Sequence, residues 1–178
     1  MTRWWWTGCA PAPLATALQP LVRAAERTLD LTRERRARTI LRVDAGGGSV
    51  AAVHWALARG YAVHGKDYSA ARAERLAARV PAWVADPRVP GRQVGWVSQE
   101  ATAYVRPVRR IAVRCQKKNG QWGAAVLGSA LSPAAVRALT GPPASAGDDP
   151  VAALLAYVYF SDARGGAAET TFQGDKQG

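Results

Sequence analysis

The chain has 178 residues of which 48% are hydrophobic, enough length and apolar content for one domain with a core, and this excludes a disordered chain. Lysine and arginine number 24 against 13 aspartates and glutamates, a net charge of +11, so a polyanion such as nucleic acid is the simplest partner and an anionic membrane surface the weaker competitor. No apolar run approaches the roughly 20 residues that a bilayer-spanning helix needs, and Cys9, Cys115, His54 and His64 fit neither a disulfide scaffold nor a zinc template. The start lacks the basic-then-apolar order of a signal peptide, which argues for a soluble, intracellular protein.

In chain order, residues 1–16 show no helical or strand period: Trp4, Trp5 and Trp6 lead into Gly8, Pro11 and Pro13, an atypical start or an aromatic surface for stacking on bases. Leu18, Leu21, Val22, Ala25 and Leu29 predict an amphipathic helix with Pro20 in its first turn. The basic run Arg33 to Arg38 leads into the central strand, Thr39 to Val43, whose β-branched and aliphatic residues suit a sheet. Asp44 ends that strand, and Gly46, Gly47 and Gly48 let the backbone turn. A helix starts near Ser49, with Val50, Val53, His54 and Leu57 spaced to face a sheet, and a second strand is expected at Tyr61 to His64. Two strands joined through a helix are normally parallel, and such sheets carry functional groups at the strands' carboxyl ends, where Asp44 stands.

Ser69 is placed to cap a further helix through Leu76 and Val80, with Trp83 packed beneath an irregular connection containing Pro87 and Pro90. Val94 to Ser98 and Tyr104 to Gln116 read as strands; in the latter Ile111, Val113 and Cys115 alternate with Arg110, Ala112 and Arg114, giving an apolar face and a partly basic one. Asn119-Gly120 is a strong hairpin signal with Trp122 to Ser129 as the return strand. The hairpin gathers Arg106, Arg109, Arg110, Arg114, Lys117 and Lys118, which suits phosphate contacts with little base discrimination. Ser132-Pro133 opens a short helix, residues 141–147 form a loop, and Asp149-Pro150 caps a last helix through Val158.

The combination LRVDAGGGS, GYAVHGKDYS, VRPVRRIAVRCQKKNGQW and DARGGAAETTFQGDKQG resembles the transposases of bacterial insertion sequences, the DDE class with a ribonuclease-H-like catalytic domain. The resemblance implies an α/β fold, a ribonuclease-H-like mixed sheet with flanking helices and an inserted antiparallel β-hairpin region at about 92–130, within a partial catalytic domain spanning 17–178. It implies Asp44 as the second catalytic carboxylate and Glu169 as the third, with Arg164 before it and Lys176 seven positions after it as DNA contacts, joined by Arg109, Arg110, Lys117 and Lys118 of the hairpin. Ser161 stands where the family usually has tyrosine, and the spacing from Arg164 to Glu169 is one residue longer than in the commonest form. The first carboxylate belongs on an earlier strand, but the acids between Met1 and Thr39 are Glu26, Asp30 and Glu34, all in helical or connecting sequence. An internal or degenerate piece, inactive as it stands, is therefore expected.

The family's chemistry explains why acids must converge. Phosphodiester cleavage and strand transfer build negative charge on oxygen, which two Mg²⁺ or Mn²⁺ ions about 4 Å apart can clamp, held by carboxylates such as Asp44 and Glu169. The implied partners are DNA, as element ends and target, and a second copy in a synaptic complex; the implied setting is the bacterial nucleoid. Two other readings compete. Gly46, Gly48 and Ala51 match G-x-G-x-x-A after a strand, with Asp67 near the place of a ribose-binding acid, as in a Rossmann-like dinucleotide-binding protein. A non-catalytic basic DNA-binding module would keep the charge argument and drop the metal site.

Overall fold

A computed structural model describes residues 12–44, 49–67, 69–98, 104–140 and 149–163. Its elements in chain order are α1 (Ala12–Thr28), α2 (Arg33–Ala37), β1 (Ile40–Val43), α3 (Val50–Ala58), β2 (Ala62–Lys66), α4 (Ala70–Ala77), β3 (Val84–Ala85), β4 (Arg92–Trp96), β5 (Arg109–Gln116), β6 (Trp122–Ser129), α5 (Pro133–Thr140) and α6 (Pro150–Asp162). They build an α/β fold around one six-stranded mixed sheet of order β1-β2-β6-β5-β4-β3. The pair β1–β2 is parallel; the other pairings are antiparallel.

The parallel pair follows from the strand–helix–strand connection. Ser49 caps α3, its hydroxyl accepting from the Ala52 amide, and Gly60 after the helix adopts φ +102, a backbone state that side chains disfavour. Packing shifts the helix from its expected phase: Ala52, Ala56 and Leu57 are buried, whereas Val50 is 40% exposed and His54 lies on the flank. Two alanines let the helix lie close to the sheet, which outweighs the larger Val50. The antiparallel part follows from the hairpin, where the Gly120 amide bonds back to the Lys117 carbonyl at φ +80 and β5 meets β6 in unbroken register from Arg109↔Ser129 to Gln116↔Trp122.

Several expectations need correction. The strand before Asp44 is the edge of the sheet, not its centre, because β6 occupies the far side of β2. Tyr61 lies outside β2, buried, with its hydroxyl on Glu26. The strand expected to begin at Tyr104 begins at Arg109: Pro107 has no amide to donate, and Arg106 turns its guanidinium back to the Leu57 and Tyr61 carbonyls at 2.8 and 2.6 Å. Pro20 lies inside α1 rather than in its first turn, and the basic run forms α2, capped by Thr32. The segment 141–147 lies outside the described residues.

Helices cover both faces of the middle of the sheet, so the expected basic face of β5 is buried at Arg110 and Ala112 and opens only towards the hairpin tip. On one side Ala112 and Val126 pack with Ala73 and Leu76 of α4, while Val43 and Val63 pack with Ala56 and Leu57 of α3. On the other, Val94, Ile111 and Leu127 pack with Val136 of α5 and with Leu154, Tyr157 and Val158 of α6. Arginine 110 is consequently only 8% exposed.

Two ion-pair networks pin the helices. Glu26 accepts from Arg59 and, at 2.9 Å, from the Tyr61 hydroxyl, tying α1 to the end of α3. The hydrogen bonds from Arg59 hold the Glu26 carboxyl below its usual range despite burial, while burial, then the bond to Glu26, pushes the Tyr61 phenol up to about 12. Asp86, its side chain fully buried, accepts from Arg92 Nε at 2.6 Å, from the Tyr159 hydroxyl at 3.0 Å and from the Arg88 amide at 2.8 Å. Arg92 reaches on to Asp162 at 2.7 Å, so the end of α6 is fastened to β4.

Candidate metal and nucleic-acid site

Asp44 is exposed at the carboxyl end of β1, one residue past buried Val43. Strand alternation sets the faces: Leu41 and Val43 belong to the α3 side, and Ile40 to the α5/α6 side, so Arg42 and the position of Asp44 share the face of α6. Arg42 Nη2 donates to the carbonyls of Phe160 and Ser161, and its guanidinium lies 4.3 Å from the centre of the Phe160 ring. A cation on the last carbonyls of a helix satisfies acceptors that have no intrahelical partner. Arg42 thereby joins the strand end carrying Asp44 to the end of α6, across 118 positions of sequence.

Glu169, Arg164 and Lys176 lie outside the described residues, as do Gly46 and Gly48. Among the described residues no group of three or more histidines, cysteines or acids could hold a metal ion, and Asp44 is the one proposed ligand they contain. Asp67 sits past β2, one oxygen accepting from the Ser69 amide at 3.1 Å and the other 3.4 Å from Arg72. It is engaged at the start of α4 rather than offered to a ribose, and Ala51 is an exposed residue of the first turn of α3. Beside Val43 a cleft lined by Gly65, Gly128, Lys66, Asp67, Arg110 and Tyr104 holds ≈ 30 Å³. That is room for a water or two, an order of magnitude below a typical cofactor pocket of about 300 Å³ or more.

The arginines and lysines of the hairpin do different things. Arg109 is exposed on β5 and donates to the Leu131 carbonyl at 3.3 Å, Arg110 is buried beside the cleft, and Lys117 and Lys118 are exposed at the turn. Arg114 donates to Gln93 Oε1 through Nε at 2.8 Å and Nη2 at 2.5 Å, with the rings of Trp83 and Trp122 centred 4.1 and 4.5 Å from its guanidinium carbon. Exposed cations thus stand at both ends of the hairpin, Lys117 and Lys118 at its tip and Arg109 at its base, while Arg110 and Arg114 are built into the fold.

Sequence reading overlooked Arg42, although its place two residues before Asp44 puts it on the same strand face. It also overlooked the Asp86, Arg92 and Asp162 network and the stack on Arg114, for which spacing carried no signal. Among the described residues no helix is long and apolar enough to cross a membrane. No family model, curated protein or solved structure matches the chain.

Proposed function

We propose that this chain is part of the catalytic domain of a DDE transposase, a protein for DNA transposition through metal-dependent phosphodiester cleavage and strand transfer. The observation that carries the reading is the bridge from Arg42 to the end of α6, which sets the strand end with Asp44 beside the helix that precedes Glu169 in the chain. Glu169 lies six residues beyond Ala163, a span of up to about 20 Å of chain, and the reading takes it to approach Asp44 from that side. In this reading the fold is ribonuclease-H-like, β1 and β2 are its parallel strands, and β4 to β6 are the β-rich insertion, which extends the same sheet.

Asp44 and Glu169 are the proposed carboxylate ligands of Mg²⁺ or Mn²⁺, hard cations that oxygen donors suit and that stabilise charge on a phosphate undergoing attack. The described part of the chain does not itself complete such a site, so its own contribution is position: Arg42 holds the strand of Asp44 against the end of α6. Arg164 and Lys176, with Arg109, Lys117 and Lys118, are assigned to DNA phosphates; Arg110, buried in the sheet, is not among them. DNA, a second copy in a paired complex and a nucleoid setting belong to the same proposal.

Proximity of the two acids is the direct test. In a chain with Cys9 and Cys115 changed to serine, cysteines introduced by Asp44→Cys and Glu169→Cys should be joined by a bifunctional thiol reagent spanning about 10 Å, a gap that bridging ions and modest relaxation can close. Quantitative modification of both thiols without any cross-link would refute the assignment. A duplex of arbitrary sequence should also bind, weakening at least about tenfold between about 50 and 200 mM salt as condensed counterions cease to be released. Affinity indifferent to salt would remove the phosphate contacts from the reading.

A further inference from the structure

The hairpin tip carries an aromatic and cationic arrangement that neither the proposed metal site nor the hydrophobic core requires. Trp122 opens β6 opposite Gln116, on the strand face that also holds Arg114 and Ala112. The residue is 41% exposed although it begins a well-paired strand. Below it lies the Arg114 guanidinium, and below that Trp83, partly buried against the core cluster that contains Leu76 and Val126. The two bonds to Gln93 hold the guanidinium in place between the rings. An indole backed in this way is oriented before any ligand arrives, and its outward side is the side available to one.

We infer that Trp122 is a stacking platform for an unpaired base of single-stranded nucleic acid, with Lys117 and Lys118 binding the flanking phosphates. Three observations favour this partner over an apolar protein surface. The turn before it, Lys117 to Gln121, is exposed throughout and carries no apolar side chain, so that side of the ring is polar and cationic rather than hydrophobic. The charge is complementary to a polyanion, the chain as a whole carrying +11. Rigidity matters as well, because a pre-oriented ring loses little conformational freedom on binding and any base presents a π-face to it. Interior base pairs do not fit, since within a duplex both faces of each base are already stacked. The site therefore discriminates by strandedness rather than sequence, which distinguishes it from phosphate contacts alone. It is independent of Asp44 and Glu169 and shares only Lys117 and Lys118 with the transposase reading, so the Trp122 variants test it separately.

The test is fluorescence anisotropy of the full chain with a fluorescein-labelled oligothymidylate of about 12 nucleotides, a length suited to a single-strand groove, and with a duplex of the same length. Trp122→Ala should weaken single-strand binding about tenfold or more, as expected from losing one base–aromatic stack, and leave duplex binding within about twofold. Trp122→Phe should retain most of the affinity. Trp122→Leu, which keeps apolar bulk without a ring face and so guards against an unfolded alanine variant, should behave like Trp122→Ala. The double variant Lys117→Gln/Lys118→Gln should weaken both substrates and lower the salt dependence of each. The inference is overturned if the wild-type chain does not bind the oligothymidylate, if Trp122→Leu binds it as the wild type does, or if single-strand and duplex affinities fall together.

Discussion

Asp86→Ala is expected to destabilise the fold by about 3 kcal/mol, the lower part of the range for removing one partner of a buried ion pair. The Asp86 side chain is fully buried and Arg92 only 11% exposed, so the substitution strands a desolvated cation together with the Tyr159 hydroxyl and the Arg88 amide. The partly exposed Asp162 remains with Arg92, which keeps the loss from the top of that range. Burial pushes the Asp86 carboxyl up, but the bonds from the Arg88 amide, Arg92 and Tyr159 outweigh it and hold the carboxyl below its usual value. A depressed carboxylate contributes its full stabilisation above the unfolded value of about 3.9 and loses it as pH falls through the folded one. Urea unfolding should thus show the whole difference between Asp86→Ala and wild type at neutral pH and a smaller one below about pH 4. A penalty that stays constant down to pH 3 would mean that volume, not charge, is what the position supplies.

Gly65→Ala should cost about 2 to 3 kcal/mol, opposite in sign to the usual gain when a strand glycine becomes alanine. A methyl group at Gly65 would stand 2.3 Å from Val43 Cγ2 and 2.5 Å from the Val43 carbonyl oxygen. The side chain can rotate, but the carbonyl belongs to the parallel pairing Val43↔Gly65 and yields only if β1 moves off β2. Being at the sheet edge, β1 moves more cheaply than an inner strand, so the damage should be local. Hydrogen exchange should quicken in Leu41 to Val43 while β5 and β6 stay protected. Because Asp44 is the next residue, the variant should also abolish cross-linking between positions 44 and 169. Unchanged stability and unchanged exchange in β1 would show that the close approach is not needed.

Much of the fold was legible in the chain because its signals are local. Ser49, Ser69 and Asp149 each accept from an amide two or three residues ahead, so their capping depends on nothing remote. Asn119-Gly120 sets the hairpin by the same kind of proximity, and the apolar alternation of β5 carries its pairing with β6 along eight residues. The parallel β1–β2 unit was legible too, since a strand, a capped helix and a strand leave one handed way to return to the sheet. Asp44 at the carboxyl end of β1 follows from that unit alone.

Strand order was not legible, and neither was which face of β5 meets solvent. The basic alternation of Arg110, Ala112 and Arg114 suggests an open face, yet α4 covers its middle, because Leu76 and Ala73 must bury against something and Ala112 and Val126 supply the surface. Edge placement of β1 likewise depends on where β6 docks, a choice made by the whole sheet. Composition and short spacings were sufficient for the charge, the elements and the turn, all interactions between neighbours in the chain. Assembly of the core decided the rest: Arg42 on the carbonyls of α6 and Arg92 on Asp162 join positions 118 and 70 residues apart, and such pairs exist only once packing has cancelled the cost of bringing them together.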